Sequence, residues 1–344
     1  MKILVGVAHP KHVHIFKNFT KIMIEKGHDV RIIAVDKEVT EHLLRQYNLP
    51  YILIGKNQPT LPRKCISMIK RELLTLKIAK KFNPDIFVGR ALPELAHVSA
   101  IMKKPFIVFE DTEIARTVHK ITVPFSDYIV TPLCYQGDFG RKHIRFNGYF
   151  ELAYLHPNYF QPDPSVLDYL ESGRDKIIIV RFVSWKASHD VNDYGFTNKE
   201  NIIKCLEQYG QVLITSEAEL SEDLEKYKIR IPPEKIHHLL YFADLYIGES
   251  ATIAAECAVL GTPSIFVSTS RRGYTDELES KYGLIYNFSN PKTMQKSALE
   301  KAVELLVSGS AKREWKKKRA KMLSEKIDVT KFITELIENY KIAK

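Results

Sequence analysis

The stretch 245–265 reads LYIGESATIAAECAVLGTPSI. An apolar run ends at Gly248, Ser250 follows, small residues lead to Glu256, and a second apolar run comes after Gly261-Thr262-Pro263. A helix-length segment that opens on a capping serine, closes on a glycine and lies between two apolar runs reads as strand, helix, strand. Such a unit belongs to a parallel sheet covered by helices. In an open α/β sheet, ligands bind beyond the carboxyl ends of the strands, where the next helices begin. Ser250 can cap this helix, and Ala251 and Thr252 leave its first N–H groups approachable by an anion, which the helix dipole also favours. Glu256 lies one turn below Thr252 on nearly the same face. A carboxylate there would repel a phosphate in direct contact, yet it can accept hydrogen bonds from vicinal hydroxyls such as those of a ribose. The alternative is a capped core helix whose glutamate reaches solvent. Spacing alone leaves both readings open.

Outward from this stretch, the same alternation fills the chain. KILVGV, HVHIFKNFTKIMIEKG, DVRIIAV, EVTEHLLRQY and YILI read as βαβαβ. Further strands are expected at 85–89, PFIVFE, 127–131 and 144–148, with helices at 63–82 and 91–102. The stretch YFELAYLHPNYFQPDPSV (149–166) is rich in proline and aromatics and has no periodicity. Beyond it come KIIIVRF, a helix at 197–209, QVLIT, KIRI, a helix through PPEKIHHLLYFA, the opening unit, a helix at 273–282 and LIY. From about 291 the chain reads as helical. The expected architecture is α/β: two doubly wound, Rossmann-like domains facing a cleft, at 1–150 and 166–325. Residues 151–165 would link them, and 326–344 would form a C-terminal helix packing back on the first domain. A length of 344 residues suits two domains of ordinary size.

Composition narrows the function classes. A hydrophobic fraction of 45% with 27% charged residues is that of a globular protein, not a disordered or fibrous one. No apolar run approaches the ~20 residues of a membrane span. The opening MKILVGVAHPKHVH reads as a first strand, not a leader. Cys65, Cys134, Cys205 and Cys257 form no CxxC pair and read as reduced thiols of a cytoplasmic protein. The net charge of +10 is uneven, because residues 311–326 carry eight Lys or Arg against two Glu. That segment is either a solvated helix face or a peripheral contact with an anionic membrane. Nucleic acid is not expected, since aromatics are not interleaved with these cations.

Neither GxGxxG nor a P-loop occurs, so a bound phosphate must be met by other means. Arg181, ending the strand KIIIVRF, would point into the cleft, where Ser184, Lys186, Ser188 and His189 on the following loop complete a cationic rim suited to a diphosphate. The alternative pairs Arg181 with a carboxylate such as Glu151. Asp111 and Glu113 follow the strand PFIVFE and can serve as base or sugar ligands, or start a helix. Arg90 and Glu94 carry the same ambiguity, whereas Asp127, Tyr128 and the pair His237-His238 read as structural. His12 opens the first helix, where an imidazole can act as a general base near neutral pH or simply cap. His9, His12 and His14 have no further ligands at metal-site spacing, so no metal is expected.

The run GESATIAAECAVLGTPSI resembles the nucleotide-binding helix of GT-B enzymes, including the lipid II-forming N-acetylglucosaminyltransferase and the non-hydrolysing UDP-N-acetylglucosamine 2-epimerases. That resemblance implies diphosphate contacts at Ser250, Ala251 and Thr252 and a ribose contact at Glu256, although Ala251 and Thr252 stand where those families carry glycines. HPKHVHIFKNFTKIMIEKGHDVRII, RALPELAHVSAIMKKPFIVFEDTE, FNGYFELAYLHP and IIIVRFVSWKASHD resemble a domain-of-unknown-function family of mainly archaeal predicted glycosyltransferases. The implied protein is a metal-independent GT-B glycosyltransferase with no cofactor beyond its nucleotide-sugar substrate. It would move a sugar from a UDP-sugar to a lipid-linked or cell-envelope acceptor, with His12, Asp111 and Glu113 as catalytic candidates. Alternatives are an epimerase-like enzyme, whose longer motif after Asp111 and Glu113 is missing, and a non-catalytic binder of nucleotide-sugars or polyanions.

Overall fold

The structure is a computed structural model that describes residues 1–56, 58, 61–170, 176–183, 194–216 and 220–340. The chain divides into two compact units: Met1–Tyr159 with Ile327–Lys344, and Phe160–Lys326. Of the stretch expected to link two domains, 151–159 groups with the first unit and 160–165 with the second.

Unit 1 runs β1 (Lys2–Val7), α1 (Pro10–Glu25), β2 (Asp29–Asp36), α2 (Thr40–Gln46), β3 (Tyr51–Lys56), α3 (Leu61–Phe82), β4 (Ile86–Gly89), α4 (Pro93–Met102), β5 (Phe106–Phe109), α5 (Arg116–Thr122), β6 (Tyr128–Pro132), β7 (His143–Phe146) and the short α6 (Leu152–Leu155). Unit 2 runs β8 (Ile177–Phe182), α7 (Lys199–Leu206), β9 (Gln211–Ser216), α8 (Glu222–Glu225), α9 (Ile236–Phe242), β10 (Leu245–Gly248), α10 (Ala251–Leu260), β11 (Ser264–Val267), α11 (Gly273–Ser280), β12 (Ile285–Phe288), α12 (Met294–Val307) and α13 (Ala311–Glu325). The last helix, α14 (Val329–Asn339), packs on α1 and α6 of unit 1.

Both sheets are parallel. The seven-stranded sheet has the order β3-β2-β1-β4-β5-β6-β7, and the five-stranded one β12-β11-β10-β8-β9. β4, β5, β10 and β11 are buried along their whole length, as strands covered on both faces must be. Each order reverses direction once, between β1 and β4 in unit 1 and between β8 and β10 in unit 2, and these are the places where a doubly wound sheet opens a crevice for a ligand. Among the described residues, KIRI, expected as a strand, makes one isolated bridge, Lys228 to Ile214; Pro232 and Pro233, which cannot donate to a ladder, follow at once.

The basic segment 311–326 is the helix α13, and it is part of the fold. Trp315 and Met322 are buried, and the Trp315 indole donates to the Leu284 carbonyl at 2.8 Å. Lys312 Nζ donates to Phe242 O at 2.7 Å, Lys318 Nζ to Gly283 O at 2.9 Å and Arg319 Nε to Val259 O at 2.7 Å. Lys312 and Arg319 thus meet the carbonyl ends of α9 and α10, where orphan acceptors and the negative end of the dipole both favour them, and Lys318 holds the turn that follows α11. Lys326 pairs with Glu277, while Arg313, Lys316, Lys317 and Lys321 are exposed.

Candidate functional site

Two constellations stand at the two reversal points, and each is described within its own unit.

In unit 1, α1 begins directly after β1. His9 is its N-cap, with Nδ1 accepting from Lys11 N at 3.1 Å, and Pro10 supplies a first helical position that needs no N–H. This start turns Lys11 inward, where Nζ lies 2.8 Å from Asp111 Oδ2 and 2.9 Å from Glu151 Oε1. Arg90, the residue after β4, reaches the same aspartate from the other side. Its Nη2 meets Asp111 Oδ1 and lies 2.6 Å from Glu110 Oε1, which also accepts the N–H groups of Asp111 and Thr112 at 2.9 Å each. All five charged residues are buried. Isolated charges could not remain so, but here each faces an opposite one at hydrogen-bond distance.

Burial alone would raise the Asp111 carboxyl, but Arg90 and then Lys11 reverse this and hold it well below the usual carboxylate range. Glu110 is lowered for the same reason, against its burial and chiefly by Arg90. Glu151 goes the other way: burial outweighs Lys11, Asp111 adds its repulsion, and its carboxyl is raised. Asp111 is therefore an ionised anchor for two cations and a weak proton acceptor.

His12 sits beside this cluster. Burial first, then the nearby Arg90 and His9, push its imidazole well below the ordinary 6.5. Ala8 N–H donates to Nδ1 at 3.2 Å, and an amide can only donate, so the ring proton resides on Nε2. His12 offers a neutral N–H donor. Glu113, partly exposed, accepts from Gln136 N at 3.3 Å through Oε1. Glu94 is buried and pairs with Arg71 at 2.5 Å, and Glu151, weighed above as a partner for Arg181, pairs with Lys11.

In unit 2, Gly248 of β10 stands in register with Arg181 of β8. A Cβ at Gly248 would lie 2.8 Å from Arg181 Cβ and 2.6 Å from the Tyr246 hydroxyl, so only glycine lets the strands meet here. Tyr246, fully buried, donates its hydroxyl to Ser250 O at 3.1 Å and fixes the turn into α10. Ser250 caps α10, its Oγ accepting from Ile253 N at 3.4 Å. Ala251, Thr252 and Ile253 stay partly exposed while the rest of α10 is buried, so the helix presents its N-terminal turn alone. Glu256 is 5% exposed and lies 3.1 Å from Nε2 of the buried His237 on α9, so most of its carboxylate is turned into the fold. His238 accepts from Asp163 N at 3.0 Å and stacks on Phe160.

Ser184, Lys186, Ser188 and His189 lie outside the described residues. The residues flanking their segment converge on Glu249, whose two carboxylate oxygens accept Val183 N at 2.7 Å and Phe196 N at 2.6 Å. Glu249 N in turn donates to Arg181 O at 3.0 Å. Lys11, Glu110, Glu151, Glu249 and His237 were not singled out as site residues from the sequence. Glu110 and Glu249 share one signal, a carboxylate immediately after an apolar parallel strand. Among the described residues no group of three or more His, Cys, Asp or Glu side chains is placed to hold a metal ion.

A family of proteins of unknown function, DUF354, matches residues 1–341. The chain belongs to the DUF354 family. An uncharacterized relative from Methanocaldococcus jannaschii is 25% identical over 281 residues, covering 77% of this chain and 81% of that protein. Among solved structures, a candidate UDP-N-acetylglucosamine 2-epimerase from Listeria monocytogenes superposes with TM-score 0.69 at 10% identity, over 100% of this chain and 97% of that one. The glycosyltransferase VinC in complex with DTDP superposes with TM-score 0.61 at 12% identity, over 98% and 99%. This DUF354 chain therefore has the GT-B fold, built from two Rossmann-like units.

Two outcomes test the unit 1 geometry. Asp111→Asn should cost about 3–5 kcal/mol in denaturant unfolding, the usual effect of removing one partner from a buried ion cluster. Since the Asp111 pKa is depressed in the fold, its contribution is present above the ordinary aspartate value of 3.8 and lost as pH falls below it. The variant should thus lose less stability than the parent on acidification. Separately, the His12 ring nitrogens should keep the neutral Nε2–H pattern in 15N NMR at pH 6.5, where an ordinary histidine is half protonated; a half-titrated ring would contradict the assignment.

Proposed function

We propose that this chain is a nucleotide-sugar enzyme of the GT-B type, a metal-independent glycosyltransferase that takes a sugar from a UDP-sugar held by unit 2 and gives it to an acceptor held by unit 1. The observation that carries this reading is the reversal point of the second sheet. There Arg181 and the exposed N-terminal turn of α10 lie side by side across the Gly248 pairing. A helix N-terminus and an arginine placed at neighbouring strand ends suit a diphosphate leaving group, whose developing charge they would stabilise without a metal. Glu256, oriented by His237, is the candidate ribose acceptor. In unit 1, Lys11 and Arg90 hold the Asp111 cluster, and the Nε2–H of His12 is a donor for an acceptor or sugar oxygen. Structural neighbours named for UDP-N-acetylglucosamine and bound to DTDP support a nucleotide-sugar ligand.

The epimerase reading is kept because Glu151, whose buried carboxyl is raised, stands beyond the strand ends of unit 1 beside Lys11 and close to the Asp111 cluster, a setting for proton transfer on a sugar ring. One assay separates the readings. UDP-N-acetylglucosamine is incubated with the protein in D2O, and UDP release and deuterium at sugar C2 are followed together. Slow UDP release without C2 exchange supports the transferase, C2 exchange supports the epimerase, and binding with neither leaves a non-catalytic binder. In calorimetry, Glu256→Gln, which can keep a hydrogen bond to His237, should weaken UDP binding by about 1–3 kcal/mol. Unchanged affinity rejects the ribose assignment.

A further inference from the structure

Over 66–75, α3 puts apolar side chains outward and polar ones inward, although its second half fills the core in the usual way. Arg71 and Thr75 face inward, Arg71 pairing with Glu94 on α4, while Ile66, Ile69 and Leu73 are 57%, 55% and 64% exposed. Those three recur at helical spacing, so they form one stripe, which Lys70 and Lys77 extend from the positions three residues before and four after Leu73. The stripe continues across two neighbouring elements. Glu72, beside Leu73, accepts from His97 Nδ1 of α4 at 2.6 Å, and His97 packs edge-on against Phe125, with ring centroids 4.9 Å apart. His97 Nε2 lies 3.0 Å from Ile121 O at the end of α5. Ile101, one turn beyond His97 on α4, is 62% exposed, and Phe125 45%. The outer faces of α3, α4 and the α5 end thus present protruding aliphatic and aromatic side chains together.

The fully exposed charges on and beside this face are cationic. Lys70, Lys77, Lys103 and Lys120 are exposed on or beside it, while Glu72 is engaged by His97 and Glu94 is buried against Arg71. A two-fold contact with a second copy would set these lysines against their own images, which disfavours self-association. Apolar side chains that protrude from helices between long, snorkelling lysines suit the interface of a bilayer with anionic headgroups. We infer that the α3–α4–α5 face of unit 1 docks the protein on an anionic lipid bilayer. A sugar acceptor carried on a lipid would be met there. The exposed cations of α13 lack this partner chemistry, because Trp315 and Met322 of that helix are buried.

The test is flotation of the full chain, without nucleotide, on vesicles of phosphatidylcholine alone or mixed with phosphatidylglycerol. Omitting nucleotide makes the result independent of the sugar-nucleotide reading. Binding should be selective for the anionic vesicles and weaken with salt. Ile69→Ser/Leu73→Ser/Ile101→Ser, all exposed positions, should keep the parent melting temperature yet bind at least about tenfold less tightly. Lys70→Glu/Lys77→Glu should lose the anionic preference, and Lys316→Glu/Lys317→Glu on α13 should leave binding unchanged. The inference is overturned if the parent does not float, if the α3–α4 variants bind as the parent does, or if only the α13 variant loses binding. It is likewise overturned if sedimentation shows a dimer that the apolar variant abolishes, which would make the face a contact between copies.

Discussion

A carboxylate placed immediately after a parallel strand organises each half of this molecule. In unit 1 it is Glu110 with Asp111, at the end of β5; in unit 2 it is Glu249, at the end of β10. The reason is common to both. Where a parallel strand ends, the chain turns toward solvent with backbone N–H groups unpaired, and a buried carboxylate can satisfy several of them at once. Glu249 takes the amides that flank the segment 184–193, and Glu110 takes those of the turn into Thr112. Remove these anchors and the candidate ligand groups lose their positions: Arg181 borders the Glu249 turn, and Lys11 and Arg90 are held by Asp111. The site is therefore fixed by residues that need not touch a ligand themselves.

This explains which parts of the molecule were legible in the sequence. The doubly wound order was visible because parallel strands buried on both faces read as continuous apolar runs, and because Ser250 and Gly261 mark the ends of α10 by local chemistry. Gly248 is different. Its necessity comes from Arg181, a residue far away in the chain, and no local pattern announces a strand pairing. The partners of buried charges were equally hidden. Lys11 lies between His9 and His12, members of the histidine triplet that invites a metal reading, while its own role depends on Asp111 and Glu151, brought beside it only by the sheet. Glu256 was visible as an oddity, but that it turns to His237 and away from solvent required the packing of α9 on α10.

The net charge of +10 is likewise not a single quantity with a single meaning. In α13, Lys312 and Arg319 act as caps for two other helices and Lys318 holds the turn after α11, functions that composition cannot tell from attraction to an anionic surface. The exposed remainder, Arg313, Lys316, Lys317 and Lys321, has no such partner helix end. Charge density in sequence therefore overstates how much of this segment is available for a partner, since half of its cations are held by the fold.

α3 shows the converse. Its inward side is complete without the exposed leucine and isoleucines, because Leu76, Ala79 and Phe82 already join the core formed with Phe87, Leu95 and Phe106. Arg71 adds a partly buried ion pair to Glu94 at the junction with α4. A helix whose core contacts are filled gains nothing for folding from Ile66, Ile69 and Leu73 on its outer side. Each leaves apolar area in water at about 25 cal/mol per Å² relative to burial, and a contiguous exposed patch of this kind marks an interaction surface. The residues that stabilise unit 1 and those that give it an outward apolar face are separate sets on the same helix. That separation lets the outer face be changed without unfolding the inner one.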